Sequence, residues 1–275
     1  MIERKNKYDG QKPRILYIDM AYTLKMVRER ELEQEFNSRD CGGYFEHVWG
    51  VHPLADIPEK RKPAYKGFKV STVEFSSNQT IIQGESAYYS FLKYIFPLNF
   101  LISQIKFTKY LIKLVKREQI SIVFCVDPYF SGLMGRFIKL FTKAKLAIWV
   151  CGNFDEIFEA TGVPAMPRLF RKRWIEKIIE KRVLRSADLV IGGNQNNLEF
   201  ALRNGASVDK STIFPVGKLI HRQHLIESSL RDKDDFFTTS KATYHFIYIG
   251  RFVDIKYPDD VLRAFDVICK TEPDC

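Results

Sequence analysis

No stretch of this 275-residue sequence is long and apolar enough to be read as a membrane span. The nearest uncharged run, residues 94–105, falls short of the ~18 residues such a span needs and contains Pro97. The opening MIERKNKYDGQKPR has no apolar core, so no secretory leader is expected. Cysteines are few and odd in number: Cys41, Cys125, Cys151, Cys269 and Cys275. None forms a C-x-x-C pair, which argues against a structural zinc and against a disulfide framework. Cys125 and Cys151 sit in apolar runs, as free thiols in a reducing cytosol do. His47, His52, His221, His224 and His245 make no metal-ligand pattern, so no metal is expected. The absence of G-x-G-x-x-G argues against a dehydrogenase-type dinucleotide site, and the absence of G-x-S-x-G against a hydrolase elbow. Internal repeats and low-complexity segments are lacking too.

What is present suits a packed core. Hydrophobic residues make up 45% and charged residues 28%, with 22 Phe and 13 Tyr. The formal charge of +10 fits either a plain solvated surface or an anionic partner, with nucleic acid, a membrane surface and a phosphorylated substrate as the candidates. The cations are spread over several segments and no RNA- or DNA-binding signature accompanies them, so nucleic acid is not expected.

Strands and helices alternate along the chain. Residues 14–19 (RILYID) read as a first strand and 22–36 as a helix. Further strands are expected at 44–51 and 68–75. Residues 100–117 carry helical periodicity, with Leu101, Ile105, Leu111, Leu114 and Val115 set against Lys106, Lys109, Lys113, Lys116 and Arg117. The continuous apolar runs at 120–126, 146–150 and 189–191 fit strands of a parallel sheet covered on both faces. Helices are expected at 169–185 and at 196–204, the latter closed by Gly205, with a last run at 211–215. This alternation predicts an α/β, doubly wound, Rossmann-type domain over residues 1–217. A polar linker at 218–243 follows, and then a fresh strand–loop–helix unit at 244–275, the start of a second domain that the sequence does not complete.

That last unit carries the most chemistry. Gly250 allows a tight turn after a strand, and Arg251 and Lys256 lie five apart across a short loop. A planar fork donor and a point cation together suit a diphosphate. Gly250, Arg251, Lys256, Leu262, Ala264 and Phe265 resemble the G-R-x(4)-K-x(5)-L-x-A-F stretch of family 4 glycosyltransferases. The run from Val183 to Ile191, with Ala187-Asp188 at its centre, resembles the family's helix-to-strand segment. Gly205-Ala206 followed by Ile213, Phe214, Pro215, Val216 and Gly217 resembles a third segment, in the family's order and spacing. The resemblance implies a GT-B fold of two Rossmann-type domains. It implies transfer of a sugar from a nucleotide-sugar, with retention, to a glycan or lipid-linked acceptor. Arg251 and Lys256 would then contact the donor diphosphate, with no cofactor beyond the substrate.

The sequence departs from the family at Tyr257, where a glycine is usual, and at Val216, where an asparagine is usual. The glycine pair after the first strand is missing, and Gly42-Gly43 reads as a plain turn before a strand. The donor domain's glutamate pair would lie beyond Cys275. A truncated chain, or a non-catalytic remnant or partner subunit that binds glycan, lipid or protein, is therefore the alternative. Asp127, Cys151, Gly152 and Asp155 follow predicted strands, where ligands gather in open α/β sheets. Asp127 also suits a turn or helix cap, and Asp155 a cap of a helix at 156–160. Residues 88–117 hold six cations and no acid beside many aromatics, which gives an expectation of peripheral contact with anionic membrane for an otherwise cytoplasmic protein. The basic helix at 169–185 is expected only to turn its charges to water.

Overall fold

A computed structural model describes residues 12–56, 69–86, 89–92, 94–214 and 258–271. The chain divides into two units, Met1–Phe154 with Pro164–Phe214, and Asp155–Val163 with Pro215–Cys275. The predicted linker at 218–243, the strand before Gly250, and Gly250, Arg251 and Lys256 themselves lie outside the described residues.

The first unit is built on β1 (Arg14–Ile18), β2 (His47–His52), β3 (Val70–Ser76), β4 (Gln79–Gly84), β5 (Ile122–Cys125), β6 (Lys145–Val150), β7 (Leu189–Gly192) and β8 (Ser211–Ile213). They form one sheet in the order β3-β4-β2-β1-β5-β6-β7-β8. Every neighbouring pair is parallel except β3 with β4. With that antiparallel edge strand set aside, the order is the doubly wound Rossmann arrangement, extended by one strand. The expected α/β class is what the chain adopts.

The helices are α1 (Leu24–Glu29), α2 (Glu33–Asn37), α3 (Phe96–Arg117), α4 (Phe130–Phe141), α5 (Phe154–Thr161), α6 (Arg173–Ser186), α7 (Gln195–Arg203) and α8 (Pro258–Thr271). In the first unit α3, α4 and α6 pack side by side over the main core. That core joins Leu16, Ile18, Val123, Cys125, Leu146, Ile148 and Val190 to Phe107, Leu111, Ile138, Val183 and Phe200. A smaller cluster, Val27, Phe36 and Ile81, sits under α1 and α2. Of the second unit, the described residues are those of α5 from Asp155 onward, the turn to Val163, and α8.

Three expectations need correction, and one strand was not expected. The single helix at 22–36 is two helices, broken at Glu31, whose φ of 54° is left-handed. On one continuous helix Val27 and Phe36 would point about half a turn apart; the break brings both into one cluster. The strand expected at 68–75 is present as β3, the edge strand of a hairpin; its second arm, β4, was not expected, because its two-sided burial gave no alternating signal. Helix α3 starts four residues earlier than its periodicity suggested, with Pro97 in its first turn, where a missing N–H costs nothing. Helix α6 does not merely turn its charges to water: Glu176 and Glu180 are fully buried. Other expectations held. Gly42 and Gly43 form a left-handed turn before β2, and Gly205 (φ 105°) closes α7 while Ala206 N–H reaches back to Ala201 O at 3.0 Å.

Candidate functional site at the carboxyl edge of the sheet

The strand order reverses between β1 and β5, and it is outside the carboxyl ends at such a reversal that ligands bind in open α/β sheets. Asp19 follows β1 and is nearly buried. Its Oδ2 accepts from Arg39 at 2.6 Å and its Oδ1 from Ala21 N–H at 2.8 Å. The Arg39 guanidinium also lies over the rings of Phe36 (3.8 Å) and Tyr17 (4.2 Å), so it is held by charge and by π-faces together.

His52 ends β2. Its Nδ1 accepts from Leu54 N–H at 3.3 Å, which leaves Nε2 as the protonated nitrogen facing Met20 O at 3.0 Å. The ring thereby fastens the loop after β1 to the loop after β2. Beyond it, Ser86 N–H and Oγ donate to the two oxygens of buried Asp56, and Ser103 Oγ donates to Ser86 O at 2.7 Å. The loops after β2 and β4 are thus pinned to one another and to α3.

Asp127 follows β5 and is buried. Its Oδ1 accepts from Tyr129 N–H at 2.7 Å and its Oδ2 from Ser131 Oγ at 2.5 Å, the hydrogen bonding expected of a turn residue opening a helix. Burial pushes its carboxyl up to about 6; hydrogen bonds from Ser131 and the backbone oppose the rise, and the charge of Asp19 adds to it. Cys151 follows β6. Cys151 keeps an exposed surface, yet desolvation of its thiol, then the charges of Asp127 and Asp19, raise it and so lower its thiolate fraction. Asp19, Asp127 and Cys151 thus follow the adjacent strands β1, β5 and β6 on one edge of the sheet. Gly152 comes next in the same loop, followed by Asn153, whose Nδ2 donates to Asn196 Oδ1 at 2.9 Å and so ties the loop after β6 to α7.

A mainly apolar cavity of about 270 Å³ opens on this edge, lined by Met20, His52, Leu54, Met166, Pro167, Arg168 and Leu169. Its outer wall is held from behind. Glu176 accepts from Ala165 N–H (3.1 Å), Met166 N–H (2.7 Å) and Arg173 (3.1 Å). Glu180 accepts from Tyr129 Oη (2.7 Å), Arg173 (3.0 Å) and Lys177 (2.9 Å). Two buried carboxylates and their cations thus set the position of the cavity wall.

Of the residues expected at a site, Asp127, Cys151 and Gly152 meet at this edge. Asp155 does not cap α5. It falls in the first turn of a helix that begins one residue earlier, and it groups with the second unit. Sequence reasoning missed Asp19, Arg39, His52 and the Glu176–Glu180 pair. Asp19 was open to the same rule that singled out Asp127, since it too closes a strand; Arg39 carries no sequence signal.

No family model and no curated protein sequence matches the chain. Among solved structures it is similar to Anabaena HepE (Alr3699) in complex with UDP, at 10% identity and a TM-score of 0.39, over 74% of this chain and 43% of that one. Sucrose-phosphate synthase from Thermosynechococcus elongatus is 14% identical with a TM-score of 0.45, over 74% and 90%. UDP-N-acetylglucosamine 2-epimerase from Rickettsia bellii is 12% identical with a TM-score of 0.43, over 95% and 60%. The chain spans less than half of HepE's length. Strand order, and not these likenesses, defines the fold.

Proposed function

We propose that the chain forms the acceptor-side part of a GT-B glycosyltransferase, one that moves a sugar, with retention, from a nucleotide-sugar to a glycan or lipid-linked hydroxyl. The observation that carries this reading is how the chain folds the segments that resemble family 4. Val183 to Ile191 runs from α6 through Ala187-Asp188 into β7, a helix-to-strand passage on a Rossmann frame. Asp188 is its hinge, pairing with Lys139 at 2.7 Å and accepting Leu146 N–H at 2.9 Å. Partial burial opposes its ionisation, yet these bonds hold its carboxyl below the usual range. Gly205-Ala206 ends α7 and leads into β8 in the expected order.

In this reading the acceptor enters the carboxyl-edge crevice. Its apolar part lies against Met20, Leu54 and Met166, beside Arg168 on the same wall. Arg251 and Lys256 take the diphosphate. Calorimetric titration of the chain with UDP and with GDP tests the assignment. Arg251→Ala and Lys256→Ala each lower affinity by about 1.5–3 kcal/mol, the worth of a charge-assisted hydrogen bond. Unchanged titrations in both variants would overturn it.

A further inference from the structure

The outward face of α3 is divided along its length. In the first half, and in the turn just before it, large apolar side chains stand in solvent: Phe91 is 77% exposed and Tyr94 86%, followed by Leu98, Leu101 and Ile105. The same stripe continues at helical spacing as Lys109, Lys113 and Lys116, with Lys106 beside it. The opposite stripe, Ser103, Phe107, Leu111 and Leu114, is buried against the sheet, so the helix cannot roll to hide the apolar half. No acid lies between Glu85 and Glu118, and those two are paired with Lys69 (3.5 Å) and Arg117 (2.7 Å).

We infer that this face docks on an anionic bilayer surface, with the apolar half of α3 and Phe91 and Tyr94 entering the headgroup layer and the lysines resting on lipid phosphates. The argument is one of charge complementarity. A protein partner for the apolar stripe would need no run of cations continuing it, whereas a negatively charged lipid surface needs both. No described helix is long and apolar enough to cross a membrane, so the contact is peripheral. The fold also sets the orientation. Ser103 meets the loop after β4, while Glu118 O accepts from Arg14 at the amino end of β1. The apolar half of α3 therefore lies at the carboxyl edge, where the crevice opens. Docking there would bring the crevice to the lipid surface, whether or not the transferase reading holds.

Vesicle co-sedimentation decides it, using phosphatidylcholine alone and phosphatidylcholine mixed with phosphatidylglycerol. The chain should partition at least about tenfold more strongly onto the anionic vesicles, and lose that gain at high salt. Lys106→Gln, Lys109→Gln, Lys113→Gln and Lys116→Gln combined should abolish the lipid preference. Leu98→Ser with Leu101→Ser should weaken binding to anionic vesicles while circular dichroism stays unchanged, as expected of solvent-facing positions. Equal partition onto both vesicle types, or onto neither, overturns the proposal. So does a concentration-dependent dimer in sedimentation velocity that the leucine variant abolishes, because the stripe would then be a contact between copies.

Discussion

Asp127 is a fully buried carboxyl whose proton affinity is raised, and stability must register it. The folded state holds the Asp127 proton more tightly than the unfolded chain does. Its contribution to stability is therefore complete below the ordinary aspartate value of 3.8 and is lost as pH rises through about 6. A shift of this size corresponds to roughly 3 kcal/mol. Asp127→Asn keeps an acceptor for Tyr129 N–H and cannot ionise. Urea unfolding at pH 4 and pH 8 should find the parent losing stability relative to this variant at the higher pH. A difference that stays flat with pH would show the carboxyl to be neutral throughout or far better solvated. Asp127 was legible in the sequence because it ends an apolar strand. Arg39 was not: its role comes from the reversal at Cys41–Gly43, which returns it over Tyr17, a contact no local pattern encodes.

Among the elements, α6 departs furthest from its sequence. Its basic composition suggested a solvated surface helix, yet Arg173, Glu176 and Glu180 lie inside, and Glu180 alone receives bonds from two cations and a tyrosine hydroxyl. Charge of both signs at helical spacing reads the same whether a helix lies on the surface or pairs its charges internally; only tertiary packing separates the two. Strands β5, β6 and β7 were legible because they are continuous apolar runs, although Ile122, Phe124, Trp149 and Ile191 on one face are only partly buried. β4 was missed because Gln79, Thr80 and Gln83 are buried through hydrogen bonds that polarity alone cannot forecast. Glu180→Ala should take from Arg173, Lys177 and the Tyr129 hydroxyl the buried acceptor they share and destabilise the chain by about 3–5 kcal/mol. Replacing Arg173, Glu176 and Glu180 together by methionine and leucine should cost less than Glu180→Ala alone. Denaturant midpoints of the two variants in the opposite order would mean that the network stabilises the fold on its own account.

At the scale of the whole molecule, all eight described strands and the helices covering them belong to one unit that ends at Phe214, whose N–H donates to Gly192 O at 3.0 Å. A chain stopped after Phe214 should keep a cooperative thermal transition by circular dichroism; a broad, non-cooperative melt would mean that the later residues complete the core. The crossover through α3 has a further consequence, in the order of synthesis. Strand β1 pairs with β2 within a few dozen residues, but its other edge waits for β5, Ile18 for Cys125. At translation rates of about 5–20 residues per second, that edge stands open for on the order of 5–20 s. During that interval Ile15, Leu16 and Ile18 lie along an unpaired strand, the kind of edge that invites pairing with another chain. The growing polypeptide is thus most exposed to aggregation on the ribosome, before α3 has carried β5 back to close the centre of the sheet.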